Sequence, residues 1–425
     1  GYMYNANGRL TKETRGNITS EYTYNKAGLV TEMKNSSGQS YTYSYNLAGN
    51  QTVKASGQEI TNYGYDGIGQ WISQRQAPKH RQYIADLLRM CGCYNLDGFI
   101  RVTHALSLND TFWIKTVDSK LQWKNVSLYE NQFDETIAKI AFEGGLYGKE
   151  FTTTSPEFGT SGSFAKCWVK EDDGIYLLKR GSEGARNAGL EPYSEMYSSQ
   201  IARIICRDAV EYSVEKYHNK IASKCRLFTS EQEGYVPITK FFGKLVSVKE
   251  ILEKFEQHGC EDDFRRMIVL DALILNTDRH MGNYGFMVDN DTMQIKRMAP
   301  MFDHNQALLP YAEQEDFENL DVYLASRPTQ IGEDFNEIAH ALLTPEIRND
   351  LKNLRGFEFQ RNDEFDLPEE RLQKLNKLVD QQINGILECK RLYVPSNEYE
   401  NARYQPEQYD DLSPESKEID EELEI

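Results

Sequence analysis

Asp278 stands five residues before Asn283, and Asp303 follows twenty residues after that, within Asn276-Thr277-Asp278-Arg279-His280-Met281-Gly282-Asn283 and Met301-Phe302-Asp303. No other feature limits the fold of this chain so tightly. A carboxylate, an amide and a second carboxylate at this spacing form a set that phosphoryl transfer needs. One carboxylate orients an attacking hydroxyl and takes its proton, while the amide oxygen and the other carboxylate hold Mg²⁺ on nucleotide phosphates. The three groups have to meet at the edge of a cleft that also holds the nucleotide.

The flanking patterns supply two sides for such a cleft. Residues 151–242 alternate strands with one helix. Ala165–Val169 and Gly174–Lys179 read as a hairpin across Asp172-Asp173-Gly174, and Ser194–Cys206 carries apolar residues at 196, 197, 201, 204 and 205, one helical face. From Val246 onward helices dominate, at Val248–His258, Asp262–Leu275 and Glu369–Leu392. The expected class is α+β, a bilobal protein-kinase-like fold with a small β-rich lobe over 151–245 and a helical lobe over 246–395. The acidic run Asp289-Asn290-Asp291 lacks the glycine and closing glutamate of a calcium loop, so it reads as a turn between Phe286–Val288 and Gln294–Arg297. Residues 73–150 read as an extension packed on the small lobe, with a short amphipathic helix at Arg81–Met90. Leu106–Lys115 reads as a turn entering a strand, and Trp113 and Trp123 as core.

Asp278 is the expected catalytic base, emerging from the end of the apolar helix before it; Asn283 and Asp303 are the expected metal ligands. Lys179 closes a strand and Glu195 lies sixteen residues on, in the next helix. That interval suits a lysine that contacts α- and β-phosphates while a helix glutamate holds it, with Glu191 as the competing glutamate. Thr160, Ser161, Gly162 and Ser163 form a turn whose N–H groups and hydroxyls suit phosphate oxygens, and Lys166 just beyond it is a further phosphate contact. This turn has neither a GxGxxG nor a Walker A pattern. His280 reads as a buttress of the loop and not as a base.

The first seventy residues follow another rule. Tyr4-Asn5, Tyr24-Asn25, Tyr45-Asn46 and Tyr65-Asp66, each leading to a glycine, recur every 20 or 21 residues. Tyrosine-alternating strands around Asn/Asp-Gly turns are β-hairpin chemistry. Residues 1–72 resemble the YD repeats of Rhs proteins, which build β-shells around C-terminal toxin domains. Four copies cannot enclose a domain, so the segment is expected to be the end of a larger shell or a remnant of one, with an independent small β-domain as the alternative. The chain starts inside a repeat, so any secretion signal is expected on a longer parent.

A formal charge of −18 argues against general nucleic-acid or anionic-membrane binding. Eight acidic residues against one lysine between Asp410 and Ile425 mark the stretch 396–425 as an acidic, solvated tail. Seven scattered cysteines show no zinc or redox spacing and read as reduced thiols. No apolar run reaches the length of a membrane span.

Across residues 80–395 the chain resembles the HipA-like serine/threonine kinases. Asn276 through Asn283 match that family's N-x-D-x-H-x-x-N loop, Ala299-Pro300-Met301-Phe302-Asp303 its Ala-Pro-x-aromatic-Asp, and Glu195 through Ala202 its helix glutamate. The resemblance implies ATP- and Mg²⁺-dependent phosphorylation of a serine or threonine on a protein. Some relatives are bacterial toxins acting on their own cell's translation machinery and others look like secreted effectors. An antitoxin or immunity partner would accompany such a toxin, in the cytoplasm or after delivery by a genuine Rhs carrier. Two alternatives stay open: a lipid or small-molecule kinase of the phosphatidylinositol-kinase type, which shares the DRHxxN run, and a non-catalytic nucleotide-binding module.

Overall fold

The computed structural model describes residues 2–5, 10–24, 30–45, 51–56, 59–62, 81–91, 102–115, 119–145, 155–184, 186–242, 246–332 and 334–390. The repeat glycines at 8, 28, 49, 67 and 69, Cys93, the end of the last predicted helix beyond 390 and the acidic tail lie outside them. The chain divides into two compact units, Gly1–Gln76 and Ala77–Ile425.

In the first unit, strands β1 (Tyr2–Tyr4), β2 (Leu10–Arg15), β3 (Ile18–Tyr24), β4 (Val30–Asn35), β5 (Ser40–Tyr45), β6 (Gln51–Ser56) and β7 (Glu59–Asn62) form one antiparallel sheet in sequence order. Register shifts fall at Met3/Tyr4, Thr23/Tyr24 and Ser44/Tyr45, so the repeating tyrosine marks the same irregularity in successive hairpins. Gly16 (φ 58°) and Gly38 (φ 88°) turn the hairpins between them in a conformation that suits glycine. Tyr24 reaches back from β3 to donate its hydroxyl to the Leu10 carbonyl at 2.5 Å.

The second unit opens with helices α1 (Ile84–Met90), α2 (Trp123–Val126) and α3 (Glu135–Glu143). Asp134 caps α3 by accepting from the N–H groups of Thr136 and Ile137. Its apolar face, Ile137, Ile140 and Phe142, joins Ile84, Leu87, Cys167 and Leu178 in one core. Arg81 is buried in an ion pair with Glu157 at 2.9 Å and also donates to the Lys166 carbonyl, tying the extension to the small lobe. The strand expected within 106–115 does not form: the Phe112 N–H donates to the Asp110 carboxylate and the Ile114 N–H to the His104 carbonyl, and among the described residues no ladder partner runs alongside. The segment's aromatic residues find burial instead, with Trp113 and Trp123 against Leu106, Leu108 and Leu128.

The small lobe is a four-stranded antiparallel sheet in the order β10-β11-β9-β8, built from β8 (Lys166–Glu171), β9 (Gly174–Arg180), β10 (Tyr212–Tyr217) and β11 (Lys220–Arg226). Helix α4 (Glu191–Ile205) lies against it, burying Met196, Tyr197, Ile201, Ala202 and Ile205. Strand β12 (Glu233–Pro237) then leads to α5 (Val248–Glu256), which opens on a Ser247/Glu250 capping box. Helix α6 (Glu261–Ile274) is buried on nearly every face from Phe264 onward, as an apolar run with few polar interruptions demands. Strands β13 (Gly285–Asp289) and β14 (Ile295–Met298) form the expected hairpin, with Asp289 capping its turn through Asp291 and Thr292. β12 pairs with β13, so the connection between the lobes is part of the sheet that supports the loop. Helices α7 (Gln314–Glu318), α8 (Leu320–Ala325), α9 (Phe335–Ala341), α10 (Pro345–Asn353) and α11 (Glu369–Leu387) complete a bilobal α+β arrangement. Among the described residues no helix is long and apolar enough to cross a membrane.

Candidate active site

The loop that carries Asp278 is organised from the helix before it. The only aspartate in the buried part of α6, Asp271, takes the backbone N–H groups of Leu275 and Asn276 on its carbonyl and the Asn276 amide on its carboxylate. Asn276 in turn accepts from the Asp278 N–H at 3.1 Å. Arg279, 1% exposed, donates to both Asp271 oxygens at 3.0–3.1 Å. It also donates to the Asn283 carbonyl at 3.2 Å and the Phe302 carbonyl at 2.7 Å. One buried guanidinium thus holds the backbone of both expected metal ligands, Asn283 directly and Asp303 through the residue before it. Its remaining nitrogen meets His304 Nδ1 at 3.1 Å, and burial beside this cation keeps His304 neutral.

Lys179 sits where three elements meet. From β9 its ammonium bonds Glu195 of α4 at 2.8 Å and also Asp303. Glu195 is further fixed by the Ser223 hydroxyl from β11, and the Asp303 N–H donates to the Tyr212 hydroxyl of β10 at 3.1 Å. Glu191, the competing glutamate, points elsewhere: it accepts from the Ser182 N–H and the Tyr311 hydroxyl. Burial alone would lower the Lys179 pKa, but the Asp303 and Glu195 carboxylates outweigh it and raise it. Burial likewise works to raise Asp303, yet Lys179 and Lys166 override it and hold Asp303 ionised well below the usual carboxylate range. Asp303 itself takes a left-handed backbone conformation, φ 58°, which aspartate tolerates better than most residues.

Asp278 is partly buried and close enough to His280, Asp303 and Lys179 to respond to their charges. Burial dominates and raises its carboxyl. Its carbonyl accepts the Asn283 side-chain nitrogen at 3.3 Å, so the Asn283 oxygen is the atom left for a cation. His280 accepts from the Gly282 N–H at 3.1 Å, a local brace of the loop.

In the loop Thr160–Ser163, Ser161 and Ser163 are exposed and Gly162 has φ 90°. Thr160 does not belong with them. Its hydroxyl donates to the Pro156 carbonyl at 2.8 Å and accepts from the Trp168 indole at 2.9 Å, so its side chain anchors the loop instead of facing a ligand. Lys166, opposite Lys179 in the β8–β9 register, folds back onto the Ser161 carbonyl at 2.7 Å. Burial, with the Lys179 charge beside it, pulls Lys166 down to about 7.

The structure therefore brings Lys179, Glu195 and Asp303 into direct contact, sets Asp278 and Asn283 beside them on one loop, and places Lys166 under the loop at 160–163. Sequence reading passed over Arg279, Asp271, Tyr212 and Ser223. A lone aspartate within the apolar run Met267–Leu275 was the available signal for Asp271; strand residues such as Tyr212 and Ser223 offered none.

The serine/threonine-protein kinase CtkA of Helicobacter pylori is 29% identical over 136 residues, 28% of this chain and 42% of that protein. The chain resembles the HipA-like kinases and is homologous to CtkA. The match takes in about two fifths of CtkA's length. The crystal structure of the H. pylori proinflammatory kinase CtkA aligns with a TM-score of 0.43 at 20% identity, over 55% of this chain and 94% of that one. The HipA of Shewanella oneidensis, solved with HipB and operator DNA, gives 0.44 at 10% identity, over 83% and 97%. The family model of the teneurin YD-shell matches residues 1–128, in accord with the YD-repeat reading of the N-terminal segment. That match runs well past residue 72, into the extension that packs on the small lobe.

Proposed function

We propose that this chain is an ATP-dependent serine/threonine protein kinase. The observation that carries the reading is Lys179 held jointly by Glu195 from α4 and Asp303 from the loop beyond β14. A lysine kept charged at the meeting point of two lobes is the group that binds and orients nucleotide phosphates. Asn283 and Asp303 fit Mg²⁺ as a pair of hard oxygen donors, one with its amide nitrogen already committed and the other ionised. Bound there, Mg²⁺ would neutralise phosphate charge. Asp278 orients the acceptor hydroxyl and takes its proton; its raised pKa brings it closer to neutrality and makes it a better base than a solvated aspartate. The exposed Ser161–Ser163 turn and Lys166 cover the phosphates, and Arg279 keeps the Asn283 and Asp303 backbones in register. A protein hydroxyl is the proposed acceptor. A toxin or effector role attached to a YD-repeat carrier, with an antitoxin or immunity partner, is part of the same proposal.

The test is transfer of labelled γ-phosphate from Mg-ATP by the full chain and by its Asp278→Ala form, to itself and to a generic protein substrate. Label on serine or threonine that disappears in the variant is the expected result. Well-folded protein that binds ATP but labels only lipid, or nothing, would overturn the protein-kinase reading.

A further inference from the structure

A cavity of about 200 Å³ is lined in part by Met298, Ala299 and Met301, on the segment that leads to Asp303. Its apolar lining is made by Met298, Ala299 and Met301; its charged lining is made by Arg207, Asp208, Asp263 and Arg297. No step of the proposed phosphoryl transfer uses any of these residues. The volume suits a small ring system, and methionine side chains adapt to the shape of an apolar guest.

The charged lining determines the charge of that guest. Arg207 is shared between Asp262 at 2.9 Å and Asp263 at 3.8 Å, and Arg297 between Asp208 at 3.0 Å and Glu233 at 3.2 Å. The lining itself holds two guanidinium groups and two carboxylates, Asp208 and Asp263, while Asp262 and Glu233 draw on the same two arginines from outside it; of the four carboxylates Asp263 has the loosest contact. Arg266 and Lys296, the next cations out, do not change this balance, because each is again divided between two carboxylates. Asp263 is also partly withdrawn from water, and burial raises its carboxyl. A partly desolvated carboxylate with a distant partner gains from a donor that carries positive charge.

The position gives such a ligand reach into the active site. Cys206, which also lines the cavity, ends α4, the helix that carries Glu195. The backbone just beyond it locks onto the apolar lining: the Met301 N–H donates to the Asp208 carbonyl at 3.0 Å, and the Val210 N–H to the Met301 carbonyl at 2.9 Å. Asp303 lies two residues further on. We infer that this cavity is a regulatory binding site for a small cation with an apolar body, an aromatic amine or amidine, acting on the strand that positions Asp303.

Benzamidine, with its neutral isostere benzamide as control, tests this without any need for turnover. By calorimetry on the full chain, benzamidine should bind saturably with a dissociation constant of about 1 mM, ordinary for so small a ligand. Benzamide should bind at least about tenfold more weakly, and Asp263→Asn should weaken benzamidine by about tenfold, the contribution of one charge-assisted contact. Amide hydrogen exchange across residues 298–306 should slow with benzamidine in the wild type and not in Asp263→Asn. Equal binding of the two compounds, undiminished binding by Asp263→Asn, or exchange over 298–306 that ignores the ligand would each overturn the inference. Since none of these readouts depends on catalysis, the site and the kinase reading stand or fall separately.

Discussion

Replacing Arg279 with methionine separates what this residue does for stability from what it does for the site. The side chain is 1% exposed and donates to both oxygens of Asp271, itself 4% exposed. Methionine leaves a buried carboxylate whose one remaining side-chain donor is Asn276, a loss worth about 3–5 kcal/mol when a buried pair is broken from one side. Three of the four tryptophans, Trp113, Trp123 and Trp168, belong to the second unit and Trp71 to the first, so tryptophan emission during urea unfolding is weighted towards the part of the chain that matters. With a slope of about 3 kcal/mol per molar urea for a unit of this size, the midpoint should fall by about 1 M or more. The double variant Arg279→Met with Asp271→Leu removes both charges and should recover most of that loss, because the orphaned carboxylate is gone. Phosphoryl transfer should not recover. The Asn283 and Phe302 carbonyls are released in both variants, and a misplacement of about 1 Å at the proposed metal ligands, Asn283 and Asp303, should lower the rate by about 100-fold. A double variant as unstable as the single one would refute the assignment of the cost to Asp271. A double variant that regains full transfer would refute the role of Arg279 in spacing Asn283 and Asp303.

Two further outcomes follow from the charges at the site. Because burial raises the Asp278 carboxyl, the acidic limb of the kcat/KM profile should lie above the 3.8 of an ordinary aspartate, activity falling as pH drops through it; a limb at or below 3.8 would remove Asp278 as the base. Lys166 has a folded pKa of about 7 against 10.5 when free, so the unfolded chain binds more protons between those values and stability should rise with pH across that window. The slope is at most about 1.4 kcal/mol per pH unit, and the difference between wild type and Lys166→Met in urea midpoints isolates it; identical pH dependence would show that Lys166 is not depressed.

Much of the molecule was legible in its residues because the signals are local. Helix α6 follows from an apolar run, α4 from one apolar face, the β13–β14 hairpin from its Asp-rich turn, and the tyrosine period from a hairpin repeat. The segment 106–115 misled for the same reason: aromatic and β-branched residues fit a strand, but a strand exists only if another lies alongside. At this place the chain found burial for its rings and no ladder. Thr160 looked like its neighbours in the loop until the indole of Trp168, eight residues away, was seen to claim its hydroxyl.

What the amino-acid order determined by itself was the chemical inventory and its spacing: Asp278, Asn283 and Asp303 in one short stretch, with a strand lysine and a helix glutamate upstream in the order two lobes require. Backbone geometry and side-chain chemistry act over a few residues, and those a sequence displays. What only the tertiary structure decided was which of these groups meet. Lys179 and Asp303 are 124 residues apart and reach each other because α4, the small sheet and the strand before Asp303 pack around a shared core. The choice of Glu195 over Glu191, the buried Asp271–Arg279 clamp and the Tyr212 hydroxyl behind Asp303 were settled in the same way. Each depends on burial, which turns an ordinary surface charge into one that must find a partner, and burial is a property of the folded whole.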